Sequence, residues 1–553
     1  MDYPYDLGRW RFGATAANDA ARTWVDRGLV WTMGYNFEAA VDCFRRAAAA
    51  DPGCAMAHWG AAYASGPDYN MPWGVMGAAG AARALATAHA ATETALACRD
   101  GATPVERALI DALPARYPQA VPDPRLMPDL QPWTDAFADA MRAAHRAHPR
   151  DLTVRAIFVE ALMNRTPWRM WDTATGAPAE GASTVEAQQV LEHAFAADGA
   201  AWDHPGLLHL YVHLMEMSPV PERALRHGDR LRDLVPDAGH LVHMGTHIDV
   251  QVGDYAAALR WNESAMAAND RWFAREGAMN LYTGYRAHDA HFAIYAAMFL
   301  GRLRPALEAL DHLDRTVPED LLRIEDPPMA DYYEAYLAFR PHVLVRFGLW
   351  DEVLGLDLPQ DRELRCTLTA HTLYARCVAL AATGDVAGAE AAELQFLDAA
   401  DRVPETRLLH TNRVVDILQV ARHMARGEIL YRKKDLDAAF EALRQAVVAD
   451  DALAYDEPWG WMQPTRHALG ALLLKQGRVG EAEMVFREDL GLGRAGVPRA
   501  QVHPDNVWAL RGLVDCLTAR GEAAELPGLR RRLAVAEARA DRPVTAACAC
   551  AGR

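Results

Sequence analysis

The chain has 553 residues and a net charge of −17, from 57 basic and 74 acidic side chains. Nucleic acids and anionic membranes are bound through basic patches, so this charge argues against both as the main partner. Hydrophobic residues make up 51% of the chain, which is enough for an extensive core and excludes a mainly disordered protein. No run approaches 18 consecutive apolar residues, and we therefore expect no membrane span.

The first residues, MDYPYDLGRWRFG, carry charges and no apolar run, so we expect no signal peptide. The eight cysteines are scattered and do not form the pattern of a disulfide framework, as is usual in a reducing compartment. Both features favour a cytoplasmic location. The oligomeric state has no signature in the sequence.

The N-terminal region is predicted to consist of helix pairs. In the first pair, small and aromatic residues recur at helical spacing before a closing proline, at Trp24, Gly28, Trp31, Ala40, Phe44, Ala47 and Pro52. Further helices are predicted over 54–64, 75–98, 132–148 and 152–164. Two stretches rich in proline or glycine, 113–132 and 165–183, are predicted to be long loops that fold back over other parts of the chain.

The central region is rich in histidine, with nine of the 21 histidines between residues 204 and 291. His209 and His213 recur 34 residues later as His243 and His247. A period of 34 residues is that of the tetratricopeptide repeat, which is a helix–turn–helix unit. A repeat that carries the same residues at the same phase places them on the same face of successive helices.

The C-terminal half continues in the same way, and no alternating β pattern of useful length is found. Turns are predicted near Gly253, Gly301, Gly348, Gly384, Lys434 and Gly477. The fold class predicted is all-α, an α-solenoid or superhelix of tetratricopeptide-like helix pairs with long covering loops. Residues 1–542 are predicted to form one continuous solenoid, with a flexible tail over 543–553. Its predicted parts are N-terminal repeats (1–112), loops and helices (113–183), histidine-rich central repeats (184–320) and C-terminal repeats (321–542).

The histidines of the central repeats are predicted to share one face of their helices. Helical residues three, four or seven positions apart lie on one side. This spacing relates His209, His213 and Glu216, then His240, His243 and His247, then His288, His291 and Tyr295. Numbered from the start of each repeat, they fall at positions 2, 5, 9 and 12, which line the concave groove of tetratricopeptide repeats. Three repeats would therefore direct seven histidines and a glutamate into one groove.

A transition-metal site is the interpretation that we favour for these residues. Imidazole is the commonest metal ligand among side chains, and a histidine pair at i and i+4 is a helical chelate. The predicted ligands are His209, His213, His240, His243, His247, His288 and His291. They could fill two sites, with Glu216 either bridging the metals or accepting a ring N–H. Without a nearby cysteine the ion favoured is copper or iron, with zinc possible.

Several stretches resemble one family more than they resemble generic repeats. They are YNFEAAVDCFRRAAAADPGCAMAHWGAAYASGPDYN (35–70), EALMNRTPWRMWD (160–172), HPGLLHLYVHLMEMSPVPERAL (204–225), AGHLVHMGTHIDVQVGDY (238–255), YTGYRAHDAHF (282–292) and DEPWGWMQPTRHALGALLLKQGRVGEAEMVFREDL (456–490). They resemble the bacterial tetratricopeptide-repeat proteins that are similar to the animal tetratricopeptide repeat protein 38. The resemblance implies the repeat fold over nearly the whole chain, but it names no reaction.

The family's histidine motifs map onto His204, His209, His213, His240, His243, His247, His288 and His291. One departure lies near the first turn, where relatives tend to read Phe-Asn-His-Glu-Glu-Ala. This chain has Tyr35-Asn36-Phe37-Glu38-Ala39-Ala40 there, without the imidazole.

The leading hypothesis is a metal-dependent enzyme that acts on a small molecule in the groove, an oxidoreductase in preference to a hydrolase. Glu216, Tyr285 and Tyr295 are its candidate catalytic residues. The alternative is a non-catalytic scaffold whose open groove binds a peptide or protein partner. A third hypothesis is metal storage or delivery, which predicts an exposed, labile ion. Closure of the groove by the two long loops would favour the enzyme over the scaffold.

Overall fold

The computed structural model describes residues 3–493 and 497–551, and most of them are helical. The chain divides into two compact units. The first unit contains the chain up to Ile248 together with Ser264–Glu276. The second contains Asp249–Glu263 and the chain from Gly277 onward.

In the first unit, consecutive helices pack against one another as pairs. These helices are α1 Asp19–Met33, α2 Phe37–Ala50, α3 Ala55–Ala64, α4 Trp73–Ala97, α5 Pro104–Arg116, α6 Gln131–Ala147, α7 Leu152–Met163, α8 Thr184–Ala197, α9 Pro205–Met215, α10 Leu225–Leu231 and α11 Gly239–His243. A two-residue hairpin, β1 Trp171–Asp172 and β2 Ala177–Pro178, precedes α8. Two further helices, α12 Gly245–Val252 and α13 Tyr255–Glu276, contribute residues to both units.

The second unit is built in the same way from paired helices. They are α14 Thr283–Leu300, α15 Leu303–Thr316, α16 Glu319–Leu322, α17 Met329–Tyr333, α18 Phe339–Arg346, α19 Trp350–Leu354, α20 Cys366–Thr383, α21 Val386–Asp401, α22 Val414–Arg432, α23 Leu436–Asp451, α24 Thr465–Lys475, α25 Val479–Asp489, α26 Val507–Arg520 and α27 Leu526–Arg539. A second hairpin, β3 Leu408–Leu409 and β4 Asn412–Arg413, precedes α22.

Glycine and phenylalanine explain how the first helices pack so closely. The ring of Phe44 on α2 is fully buried between Gly28 of α1 and Gly60 of α3. A Cβ atom would come within 2.7 Å of this ring at Gly28 and within 2.2 Å at Gly60. Only glycine therefore lets both helices approach the aromatic ring, as the small-residue positions of the repeat pattern predict.

The predicted turns are confirmed. Left-handed backbone, with φ between 66° and 96°, occurs at Gly253, Gly301, Gly348, Gly384, Lys434 and Gly477. Five of these residues are glycines, which adopt this conformation without a steric penalty. Each reverses the chain between two consecutive helices.

The all-α prediction is confirmed, and the two hairpins are the only strands among residues 3–493 and 497–551. The first predicted loop is shorter than expected, because α5 extends to Arg116 and α6 begins at Gln131. Val544, Ala547 and Cys550, in the segment for which the sequence predicts a flexible tail, are buried against the C-terminal helices. No helix within the described ranges is both long and apolar enough to cross a membrane.

Candidate metal centre

Helix α9 positions the first part of the histidine cluster. Pro205 occupies its first position, where the missing N–H group has no cost, and the Nδ1 of His204 accepts a hydrogen bond from the Leu207 N–H at 3.3 Å. With its start fixed in this way, the helix presents His209 and His213 one turn apart. Both side chains face inward and are 1% exposed.

Helices α11 and α12 supply the rest of the cluster in the first unit. His240 and His243 lie on α11 and His247 on α12. We call His209, His213, Glu216, His240, His243 and His247 the first cluster. Each of its six side chains is at most 1% exposed. Imidazoles that are removed from water in this way need hydrogen-bond partners or a metal ion.

The first pair of imidazoles is formed by His209 and His240. The Nδ1–H of His209 donates to the backbone carbonyl of Met33 at 2.7 Å, which leaves the lone pair on its Nε2. This Nε2 lies 3.1 Å from the Nε2 of His240. The hydrogen bond between the two Nε2 atoms is therefore donated by the Nε2–H of His240 to the Nε2 lone pair of His209.

Glu216 orients two imidazoles at once. Its Oε1 accepts the Nδ1–H of His213 at 2.9 Å, and its Oε2 lies 2.5 Å from the Nδ1 of His247. His213 therefore carries its proton on Nδ1 and directs its Nε2 lone pair into the cluster, and the carboxylate charge beside His247 favours a proton on the Nδ1 of that ring as well. The Nε2 of His213 has no hydrogen-bond partner among the described residues. A carboxylate that fixes the outer nitrogen of an imidazole is the usual partner of a metal-binding histidine.

The second pair of imidazoles is formed by His243 and His247, whose Nε2 atoms are 2.8 Å apart. If His247 carries its proton on Nδ1, the proton between the two Nε2 atoms belongs to His243. The Nδ1 of His243 lies 3.3 Å from the hydroxyl of Thr246, which can either donate or accept. His243 can therefore move its proton to Nδ1 and free its Nε2 for a metal ion.

Both nitrogen–nitrogen distances agree with the spacing of two ligands on one metal. Imidazole nitrogens at about 2.0–2.1 Å from an ion lie about 2.9 Å apart at a right angle and about 3.4 Å apart in a tetrahedron. The distances observed here are 3.1 Å and 2.8 Å. In addition, one ring nitrogen from each of His209, His213 and His240 lies within 4.8 Å of the other two. The buried histidines could therefore hold a metal ion.

The electrostatics of the first cluster favour a cation. Burial lowers the pKa of His209, His213 and His240, because a charged ring would lose its hydration. Burial alone would raise the pKa of Glu216, but His247 and His213 outweigh it and lower the pKa to about 2. The cluster thus combines an ionised carboxylate with imidazole nitrogens, which together are suitable ligands for a metal cation.

Aromatic rings surround the first cluster. Tyr35 stacks 5.5 Å from His240 and lies 4.5 Å from His209, measured between ring centroids. The first turn of the chain thus contacts the cluster through the ring of Tyr35. Tyr69 lies 5.1 Å from His213, and its hydroxyl is buried without a hydrogen-bond partner in the described part of the chain.

The predicted loop over 165–183 covers part of the first cluster. The ring of Trp168 lies 5.8 Å from that of His213 and 5.5 Å from that of Tyr69. The indole N–H of Trp171 donates to the carbonyl of Leu214 at 2.6 Å, which holds the loop against α9. A cavity of about 20 Å³ lies beside His209 and Tyr35. It accommodates a water molecule or a ligand of a few atoms.

His288 and His291 belong to the second unit, where they join residues that the sequence analysis missed. The Nδ1 of His288 lies 3.1 Å from the Nε2 of His410. Asp456 accepts the Nδ1–H of His410 at 2.8 Å, and the Nε2 of His291 lies 3.0 Å from the Sδ of Met462. His410 and Met462 stand alone in their segments, so no helical spacing could single them out.

The predicted catalytic tyrosines lie among aromatic neighbours in the second unit. Tyr295 packs against Phe299, with ring centroids 4.4 Å apart, and burial raises its pKa well above the usual value. Tyr285 packs against Tyr282 at 5.5 Å. These contacts do not place either hydroxyl on an imidazole, and a catalytic role for the two tyrosines stays a prediction. The partnerless hydroxyl of Tyr69 in the first unit was missed because tyrosine in a loop carries no signal.

No protein-family model and no curated protein matches the chain. Among solved structures, it is similar to a chain in the Naa15/Naa10 complex bound to HypK, at 14% identity and a TM-score of 0.20, covering 93% of this chain and 70% of that one. The P58(IPK) tetratricopeptide domain matches at 14% identity and a TM-score of 0.21, and the match covers 83% of this chain and 99% of that one. A chain of the APC/C Cut9–Hcn1 hetero-tetramer matches at 12% identity and a TM-score of 0.27, and the match covers 96% of this chain and 95% of that one. Likenesses this remote carry no argument about function.

Proposed function

We propose that this chain is a transition-metal-dependent enzyme whose metal is held by the first cluster and acts on a small molecule. The observation that carries the proposal is the convergence of buried Nε2 atoms whose outer nitrogens are already fixed by protein acceptors. His209 and His213 have this arrangement, and the Nδ1 of His247 lies 2.5 Å from the carboxylate of Glu216. The resemblance to proteins similar to tetratricopeptide repeat protein 38 is part of the proposal and rests on the sequence stretches alone.

Copper or iron is the ion that we favour. The ligand set is made of imidazoles without a thiolate, which suits copper and iron as well as zinc. With copper or iron the metal would exchange electrons with the bound molecule, whereas zinc would activate water for hydrolysis. Oxidation or reduction is therefore proposed ahead of hydrolysis.

The residues of the chain would supply orientation and exclude water. Glu216 and the carbonyl of Met33 hold the imidazoles in one tautomer. Tyr69 keeps its proton, because burial, followed by Glu216, raises its pKa well above 10. Its hydroxyl would donate a hydrogen bond to a molecule bound beside His213. Trp168 would separate that molecule from solvent.

The burial of the first cluster supports a small ligand over the scaffold alternative. A peptide in an open groove must reach the histidines that recognise it, and each of these side chains is at most 1% exposed. The neighbouring cavity of about 20 Å³ accommodates a ligand of a few atoms, which is smaller than a peptide. The same burial argues against a labile storage site.

Elemental analysis of protein purified without a histidine tag tests the metal. We expect at least one equivalent of copper, iron or zinc per chain in the parent protein and the loss of one equivalent in the His243→Ala/His247→Ala variant. The control is His58→Ala/His89→Ala, which removes two imidazoles that contact the carbonyls of Pro52 and Tyr117. Absence of metal from the parent after incubation with each candidate ion would overturn the proposal.

Azide binding tests for an open coordination position, which catalysis requires. Addition of azide to the copper, iron or cobalt-substituted protein should change the optical spectrum of the metal. The Tyr69→Phe variant should bind metal normally but bind azide more weakly, because it lacks the hydroxyl donor. A spectrum that does not respond to azide would indicate a closed, structural site and would contradict an enzymatic role.

A further inference from the structure

A second group of possible metal ligands, with imidazole nitrogens and a thioether sulfur, lies in the second unit. It consists of His288, His291, His410 and Met462, and we call it the mixed cluster. The ring nitrogens of its three histidines lie within 4.8 Å of one another. His291 and Met462 are fully buried, whereas His410 is 15% exposed. This group differs from the first cluster because it contains a thioether.

His410 is held in place by both its backbone and its side chain. It stands at the tip of the β3–β4 hairpin with φ of 48°, in the left-handed region that few residues other than glycine adopt. Its Nδ1–H donates to the Oδ1 of Asp456, which is 1% exposed and also accepts the Glu457 N–H at 3.0 Å. The Nε2 lone pair of His410 is thereby directed toward His288. A strained residue whose ring is oriented by a buried carboxylate indicates a functional position.

The hydroxyl of Tyr336 contacts the same nitrogen of His410 that a metal ion would bind. The O–H of Tyr336 donates to the Nε2 of His410, and the same nitrogen lies 3.1 Å from the Nδ1 of His288. The two imidazole nitrogens are again at the spacing of two ligands on one ion.

The ring nitrogens of His291 lack good hydrogen-bond partners among the described residues. The Nε2 of His291 lies 3.0 Å from the Met462 Sδ, and its Nδ1 has no hydrogen-bond partner in the described part of the chain. If the proton is on Nδ1, it is a buried donor without an acceptor, and two lone pairs face each other at 3.0 Å. If it is on Nε2, its acceptor is a weak one. An ion between Nε2 and Sδ would satisfy both lone pairs.

We propose that the mixed cluster is a copper(I) site with His288, His291 and His410 as nitrogen ligands and Met462 as the sulfur ligand. Asp456 acts as a positioning residue for His410. Thioether sulfur is a soft ligand that selects copper(I) and is rarely used by zinc. The site goes beyond the proposed enzyme because it lies in the second unit, uses a different ligand set and needs no substrate.

The test is an anaerobic copper(I) titration against the chromophoric chelator bicinchoninate. We carry it out in the His243→Ala/His247→Ala background, so that loss of metal from the first cluster does not affect the result. We expect one copper(I) per chain, an affinity that falls at least about tenfold in Met462→Leu, and a comparable loss in His410→Asn. Leucine replaces the buried methionine at similar volume, and asparagine tolerates the left-handed turn.

Met298→Leu is the matched control, because this buried methionine lies two turns along α14 from His291 and should not change the affinity. X-ray absorption of the copper(I)-loaded, otherwise unsubstituted protein should show sulfur scattering that is lost in Met462→Leu. This second measurement does not depend on the folding of the background variant. Absence of copper(I) binding, or equal affinity in the parent and Met462→Leu, would overturn the copper(I) site. Neither result would bear on the metal content of the first cluster.

Discussion

Glu216 contributes a single charge that serves two imidazoles. Its carboxylate receives the Nδ1–H of His213 and lies 2.5 Å from the Nδ1 of His247, although these residues are 34 positions apart. It is completely buried, so water cannot replace either partner. The tautomers of both rings therefore depend on this one residue.

Glu216→Gln should weaken metal binding and leave the fold in place. A glutamine has one oxygen acceptor and a nitrogen that only donates, so either His213 or His247 must lose its acceptor or change tautomer. We expect the metal affinity to fall about 10- to 100-fold, measured by competition with a chelator of known affinity.

Glu160→Gln provides the matched control in the same unit. Burial raises the pKa of Glu160, and its Oε2 accepts the hydroxyl of Tyr63 at 2.6 Å. Glutamine keeps the shape of the side chain and an oxygen that can accept the Tyr63 hydroxyl, so metal affinity should not change. Equal effects of the two substitutions would show that Glu216 acts only through the packing of the unit.

His204 gives a pH dependence that is separate from the metal ligands. Its pKa falls from an ordinary value near 6.5 to about 3, because burial disfavours the charged ring. Below pH 6.5 the unfolded chain binds a proton that the folded chain does not. The free energy of unfolding should therefore fall with decreasing pH, by about 1.4 kcal/mol per pH unit for this residue.

His204→Asn should remove this contribution, because asparagine can cap α9 without titrating. Between pH 7 and pH 5 the free energy of unfolding should decrease by about 2 kcal/mol less in the variant than in the parent, measured by urea denaturation without metal. At pH 8 His204 is neutral in both the folded and the unfolded chain, so a difference between parent and variant there reports the cap and packing alone. Parallel pH curves for the two proteins would contradict the prediction.

At the scale of the helices, one arrangement recurs in both units. In the second unit, the buried ring of Phe486 on α25 lies between Gly470 of α24 and Gly512 of α26. The sequence already indicates this packing, because a glycine and an aromatic residue recur at the spacing of the tetratricopeptide pattern. Helix pairs and turns are local features, and local features are what periodicity predicts well.

Gly470→Ala should destabilise the protein, whereas Gly480→Ala should not. The new Cβ at 470 would lie 2.6 Å from the Phe486 ring, which is itself enclosed, so a cost of about 1–3 kcal/mol is expected. Gly480, within α25, has no heavy atom within 4 Å of such a Cβ, and alanine is the better helix former there. The urea midpoint should fall only for Gly470→Ala. A similar fall for both would indicate that helix propensity, and not the close approach to Phe486, decides the result.

At the scale of the whole molecule, contacts distant in sequence set the limit of prediction. The spacing of His209, His213, His243 and His247 was sufficient to propose that they meet, because two helices repeat one register. His410 is 122 residues from His288 in the sequence. It contacts His288 from the β3–β4 hairpin, which no periodic pattern in the sequence predicts. Met462 offers no signal either, because a buried methionine is usually part of a core.

Metal binding should stabilise the folded chain by an amount that depends on the first cluster. A ligand that binds only the folded state adds about 4 kcal/mol to the free energy of unfolding when its free concentration is a thousand times its dissociation constant. Thermal denaturation with and without the metal should therefore show a large increase in the midpoint for the parent and for His58→Ala/His89→Ala. The increase should be smaller in His243→Ala/His247→Ala, in which only the mixed cluster can still bind an ion. Each protein is compared with its own metal-free form, so the destabilisation caused by the alanine substitutions does not affect the comparison. An equal increase of the midpoint in all three proteins would place the stabilising ion outside the first cluster.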